Sequence, residues 1–285
     1  MAPSLTGLTS SLARRAARLP FPLSAPTVPG SVEPPPAPVR SGPDYDTSWA
    51  RRTPARVARA ALLEAVARPA VAALADPQRH GLDRLDELRH EGGPVIFAPN
   101  HHSHVDTPLM LTSIPEPWRH RLFVAAAADY FFRTTATSAL SALVIGAIPL
   151  DRTRVSRRSA DRAAALIDDG WSMLIFPEGG RSPDGWGQPF RGGAAYLALR
   201  CDVPVVPVHL QGTGRILRKG RRVPQPATTH VTFGAPLRPV AGQDARRFGV
   251  VIEAAVAQLA DEATTDWWSA RRRAHAGTTP PLVGP

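Results

Sequence analysis

The stretch His101-His102-Ser103-His104-Val105-Asp106 sets three imidazoles, a hydroxyl and a carboxylate side by side. Loops that only turn the chain favour Gly, Ser and Asp over His, so these residue types ask for a chemical reading, and two are open. In the first, His101 and Asp106 form a dyad. An imidazole with a pKa near neutrality takes a proton from a hydroxyl, and a carboxylate on its other nitrogen fixes the tautomer and steadies the imidazolium. In the second, His102-x-His104-x-Asp106 is a metal-ligand run. The structural alternative is a set of capping and turn residues at a strand-to-helix junction.

A second group lies downstream in Phe176-Pro177-Glu178-Gly179-Gly180-Arg181-Ser182. An arginine fork binds phosphate bidentately, and glycines leave backbone N–H groups open to the same ligand. The structural alternative is a turn closed by a Glu178–Arg181 ion pair. Arg152, after Gly146-Ala147-Ile148-Pro149-Leu150-Asp151, would bring a second guanidinium from another strand end.

Taken together, these stretches resemble the glycerol-phosphate/lysophosphatidate acyltransferase family. Asn100-His101-x-Ser103-x-x-Asp106 is similar to its Asn-His-x4-Asp signature, which places the base on His101, because only that histidine has four residues before the aspartate. Gly146-x-Ile148-x-x-x-Arg152 resembles the second block, with Pro149 where the family often has Phe. Phe176-Pro177-Glu178-Gly179-x-Arg181-Ser182 resembles the third, and Phe190-x-x-Gly193 and Val203-Pro204-Val205-Val206-Pro207-Val208 the segments that follow. The likeness covers roughly residues 80 to 240. It implies a mixed α/β fold and an O-acyltransferase that moves a fatty acyl group from acyl-CoA or acyl carrier protein to a lysophospholipid acceptor. The first choice of acceptor is 1-acylglycerol 3-phosphate; a lyso-aminolipid or a secondary-metabolite hydroxyl is the alternative. It also implies His101 and Asp106 as catalytic residues, Arg152, Glu178, Gly179, Arg181 and Ser103 on the substrate side, and no metal or other cofactor. The competing zinc reading loses ground because Thr107 stands where the His-x-His-x-Asp-His run of metallo-β-lactamase-type hydrolases has its last histidine. A non-enzymatic membrane-binding module is the remaining alternative, and the presence of both His101 and Asp106 speaks against it.

These residues must be carried by strands that end at them. Pro94-Val95-Ile96-Phe97-Ala98, bounded by Gly93 and Pro99, reads as a buried strand. Arg121–Ala125, Ser172–Phe176 and Thr229–Phe233 read likewise. Val203–Leu210 is interrupted by Pro204 and Pro207, which predicts an edge or irregular strand. Helices are expected at Ser138–Val144, at Ala160–Asp168 with Gly170 as its stop, at Ala194–Leu199, and along the face of Phe248, Val251, Ile252, Ala255 and Leu259. Strands alternating with helices predict an α/β core with a mixed central sheet over residues 81–240. A basic amphipathic helical segment at 49–80 precedes it, kinked or divided by Pro69, and a C-terminal helix with a basic tail follows at 241–285.

Composition bounds the partners. The 285 residues carry a net charge of +10 and a pI near 11.2, with Lys219 the only lysine, so the partner is acidic: anionic lipid or a phosphorylated substrate. No finger, RNP-like strand or basic block interleaved with aromatics points to nucleic acid. The single cysteine, Cys201, allows no intramolecular disulfide. No apolar run approaches the roughly 20 residues of a membrane span, so the expected location is cytoplasmic, peripheral on the inner face of the membrane. Residues 1–48 are proline-dense and read as a disordered tail. Leu5, Leu8, Leu12, Ala16 and Leu19, with Arg14, Arg15 and Arg18 off their face, allow an amphipathic membrane helix or a transit peptide instead.

Overall fold

The computed structural model describes residues 39–151, 157–182, 185–217, 223–240 and 242–283. Arg152 and the helix considered within the N-terminal tail lie outside them. Seven strands form one sheet: β1 (Pro77–His80), β2 (Ile96–Pro99), β3 (Leu122–Ala127), β4 (Ala147–Leu150), β5 (Ser172–Leu174), β6 (Val205–Gln211) and β7 (Thr229–Phe233). Their order is β1-β7-β6-β2-β5-β3-β4. All neighbours are parallel except β6 and β7. The sheet is therefore mixed, as expected, with β1 and β7 running against the other five.

Helices cover both faces. In chain order they are α1 (Thr53–Leu62), α2 (Arg68–Ala75), α3 (Asp86–Glu91), α4 (Asp106–Ser113), α5 (Ala128–Phe131), α6 (Thr135–Val144), α7 (Arg157–Asp168), α8 (Gly193–Cys201), α9 (Thr213–Leu217), α10 (Ala245–Thr264) and α11 (Trp267–Ala276). Local chemistry sets several of these ends. Thr134 and Thr137 form a capping box that starts α6. Asp244 and Asp266 accept backbone N–H bonds at the starts of α10 and α11. After α7, Gly170 takes φ +81° and stops the helix where the sequence predicts.

Strands β2 and β5 and nearly all of β6 are buried, which is why they read as continuous apolar runs rather than alternating ones. Successive side chains still point to opposite faces. Phe97, Val206 and Val208 enter one core with Leu109, Met110 and Trp118. Ile96 and Val205 enter the other with Ala163, Ile167 and Phe248.

Pro69 sits just after a π-helical turn, Leu63–Ala67, that divides α1 from α2. Proline offers no N–H to the preceding turn, so the helix is reset there. The basic face of this segment is largely turned to the domain. Arg59 donates from Nε to the Leu143 carbonyl at 2.7 Å, and from Nη2 to the carbonyls of Ala50 at 2.6 Å and Ala142 at 3.0 Å. It thereby closes the C-terminal end of α6.

Two features depart from the sequence reading. Strand β6 is interior, between β2 and β7, not an edge. Its prolines are tolerated because neither has to donate to a ladder. Pro204 precedes the strand and accepts from Ile96 N–H. Pro207 lies on the β7 side where that neighbour bends away: Gly234 N–H donates to the Pro207 carbonyl, and Leu237 exchanges bonds with Val205. Strand β1 is not foreseen, because Pro-Gln-Arg-His carries no apolar pattern; it is an edge strand, exposed over three of its four residues.

Candidate active site

The C-terminal ends of β2 and β5 are neighbours, and they deliver the two groups picked out in the sequence. After Pro99, Asn100 is fully buried and clamps β2 to β6. Its side chain donates to the Leu210 carbonyl at 3.0 Å and accepts from Leu210 N–H at 2.6 Å. The chain then turns through His101–Val105 into α4, whose first residue is Asp106.

His101 Nδ1 lies 2.9 Å from Asp106 Oδ2. The same oxygen accepts from His102 N–H at 2.6 Å and Ser103 N–H at 2.8 Å. Since Oδ2 is the acceptor throughout, Nδ1 carries the proton and the Nε2 lone pair is left for chemistry. Asp106 is completely buried, and its Oδ1 makes no hydrogen bond among the described residues. The imidazole is stacked on Phe176, with ring centroids 4.1 Å apart. The ring is thus held at one edge and over one face.

Glu178 comes from the loop after β5. It is 1% exposed, and its carboxylate bridges two backbone amides: Oε1 accepts from His101 N–H at 2.7 Å and Oε2 from Gln188 N–H at 3.0 Å. Burial pushes its pKa up to about 7 despite those two bonds. Ser182 N–H donates to the His101 carbonyl at 2.9 Å, so the β5 loop grips both sides of the His101 peptide. Ser103, expected on the substrate side, is also fully buried. Its hydroxyl donates to the Leu217 carbonyl at 2.6 Å and accepts from Val105 N–H at 3.2 Å. Both Glu178 and Ser103 are therefore engaged by the protein itself.

His101 forms part of the wall of a cavity of about 230 Å³ whose lining is mostly apolar. Val124, Ala126, Ile145, Leu150, Ile175 and Leu197 supply much of that lining. Gly179, Arg181 and Arg191 line the same cavity, so two guanidinium groups stand with the dyad. Gly179 has φ +71°, and a Cβ there would meet Arg191 Nε at 2.8 Å, so only glycine fits. Arg191 was not singled out in the sequence; its place between Phe190 and Gly192 was the available signal. Gln188 acts through its backbone N–H, which no residue type announces.

His104 faces this cavity, whereas His102 lines a second groove on the other side of the loop. Burial, then Arg181, holds His104 below the usual histidine range. The side chains of the His102-x-His104-x-Asp106 run thus diverge, and among the described residues no three His, Cys, Asp or Glu side chains stand together in a way that could hold a metal ion. Cys201 packs half-buried against the core, and burial pushes its thiol up to about 11, well away from a reactive thiolate.

Comparisons with known proteins find acyltransferases. Residues 78–211 match the Acyltransferase family model. Over that stretch the chain is similar to acyltransferase domains. A chloroplastic 1-acyl-sn-glycerol-3-phosphate acyltransferase of Brassica napus is 33% identical over 138 residues, 48% of this chain and 38% of that protein. A counterpart from Arabidopsis thaliana is 30% identical over 141 residues, 49% of this chain and 38% of its own length. The chain thus spans well under half the length of these two relatives. Among solved structures, the 1-acyl-sn-glycerophosphate acyltransferase PlsC of Thermotoga maritima shares the fold, with a TM-score of 0.59 and 23% identity over 78% of this chain and 84% of that one.

Proposed function

We infer that this acyltransferase-family chain moves a fatty acyl group from an acyl thioester to the free hydroxyl of 1-acylglycerol 3-phosphate. The observation that carries the reading is the His101–Asp106 pair at 2.9 Å in the wall of an apolar cavity that also holds Arg181 and Arg191. His101 Nε2 takes the proton of the acceptor hydroxyl, and the oxygen attacks the thioester carbonyl. The tetrahedral intermediate collapses, the C–S bond breaks, and the imidazolium returns its proton to the departing thiolate. Such a base is worth roughly 10²–10⁴-fold in rate. The acyl chain lies along Val124, Ala126 and Leu197, and the acceptor's phosphate is met by Arg181 and Arg191, with Arg152 as a further cation. Asp106 orients the base, and Glu178 fixes the peptide that bears it. No cofactor enters these steps. The donor is acyl-CoA or acyl carrier protein, and both substrates meet at an anionic membrane surface, to which the chain binds peripherally from the cytoplasmic side. Among the described residues no helix is long and apolar enough to cross a membrane.

The test is thiol release from palmitoyl-CoA with 1-acylglycerol 3-phosphate and glycerol 3-phosphate offered in turn. Release that depends on the first acceptor and is lost in His101→Ala is the expected result. Release with neither acceptor, or release that survives His101→Ala, would refute the reading.

A further inference from the structure

The second groove, on the far side of the dyad loop, measures about 780 Å³, a size typical of ligand sites. Two of its lining side chains are buried polar groups left without partners. His209 is 8% exposed and Thr213 is 1% exposed, and neither His209 Nδ1 nor Thr213 Oγ1 makes a hydrogen bond among the described residues. A buried polar group left unpaired is costly, so two in one groove mark a place built to be filled. The lining has a sign as well. Its basic members are His102 and Arg215, with no carboxylate among the described residues. Gly212 takes φ +89°, and a Cβ there would come within 2.6 Å of the Thr228 carbonyl oxygen; it and Gly214 leave the backbone bare beside Thr213. Trp186, 54% exposed, adds an aromatic face. Basic and hydroxyl donors beside a flat ring fit a phosphate joined to a planar base.

We propose that this groove holds the phosphorylated nucleotide head of an acyl-CoA donor, with phosphate on Arg215 and Thr213 and the base against Trp186. The proposal rests on the acyl-transfer reading and deepens it by choosing between the two donor carriers. A long, flexible arm separates thioester from nucleotide in such a donor, so the head belongs near the dyad but not on it. The groove meets that requirement: His102 follows His101 directly, and Ser182, which also lines the groove, donates to the His101 carbonyl. Burial and the neighbouring His102 push the His209 pKa down to about 4, so near neutral pH it serves as an uncharged hydrogen-bonding group.

Titration calorimetry with adenosine 3′,5′-diphosphate on the full chain tests this without turnover, so a failed activity assay and a failed groove give different results. Binding should weaken about tenfold in each of Arg215→Ala and Trp186→Ala, both at exposed positions, and in the near-isosteric Thr213→Val. Arg181→Ala, across the loop, should leave it unchanged. Loss of binding in Arg181→Ala alone would put the nucleotide in the other cavity and overturn the proposal. Absence of binding would overturn it too, as would inorganic phosphate binding as tightly as the nucleotide with no effect of Trp186→Ala.

Discussion

Among the described residues the Asp106 carboxylate makes its hydrogen bonds through one oxygen, Oδ2, and this separates its structural role from its electrostatic one. In Asp106→Asn the amide oxygen can replace Oδ2 while the NH₂ takes the place of Oδ1, which has no partner among the described residues. The variant should fold with little change in melting temperature yet lose about 10²–10⁴-fold in kcat, because the charge that steadies the imidazolium is gone. A large drop in melting temperature with kcat preserved would reverse the assignment. Glu178 makes a different prediction. Its folded pKa of about 7 stands above the ordinary 4.5, so the folded chain holds that proton more tightly than the unfolded one. The stability from this group is complete below about pH 4.5 and is lost as pH rises through 7. Glu178→Gln removes that titration but presents an NH₂ to one of two backbone N–H groups. The variant should therefore be less stable at pH 5 and close part of the gap by pH 8; urea midpoints that differ by a constant amount across that range would refute this. At this scale the sequence was most readable where residue type carried the signal, as with His101 and Asp106, which the fold pairs, and Arg181, which lines the same cavity as His101. It was least readable where a side chain works by holding backbone: Glu178 and Ser103 look like ligands of a substrate and are placed against backbone groups of neighbouring segments.

At the scale of elements, the strands that carry the site announce themselves because both their faces are buried. Strand β1 does not, since an edge strand exposed to water needs no apolar run. The prolines of β6 misled for a related reason: proline is excluded from a central strand only where its missing N–H is needed, and residue order alone does not tell which way each peptide faces. The helical segment before the sheet shows the same limit. Its arginines read as a basic face without showing what each one meets; Arg59 is turned inward onto three carbonyls, and burial beside Arg51 and Arg56 pulls its pKa down to about 10. Arg59→Met keeps much of the stem's packing but strands those carbonyls. It should cost about 1.5–3 kcal/mol, the scale of hydrogen bonds made by a charged group. The loss should appear in the urea midpoint, together with a raised KM for the long-chain donor, because α6 leads into Ile145 of the apolar cavity. An unchanged midpoint would show that water replaces the guanidinium at no cost.

Over the whole molecule, positive charge is the property most visible in the sequence and least consumed by the fold. The chain carries +10, and ion pairs such as Arg68–Glu64, Arg89–Asp86 and Arg238–Glu91 lie at the surface, where each contributes little and leaves the net charge untouched. An excess of this kind acts at long range. A surface rich in anionic lipid attracts it with about 1 kcal/mol for each basic residue close to the membrane. The interaction fades over a Debye length, about 10 Å at 0.1 M salt. In the proposed reaction the acceptor is an amphipathic lipid, and such a surface is the place where it would be concentrated. Two consequences separate this electrostatic account from insertion of apolar side chains. The full chain should sediment with vesicles containing phosphatidylglycerol and not with pure phosphatidylcholine vesicles at low salt. Raising the salt should release it, and should raise the apparent KM for vesicle-borne acceptor while leaving turnover of a water-soluble short-chain acceptor nearly constant. Sedimentation indifferent to lipid charge, or undiminished at high salt, would show that the excess charge is not what brings this chain to its substrate.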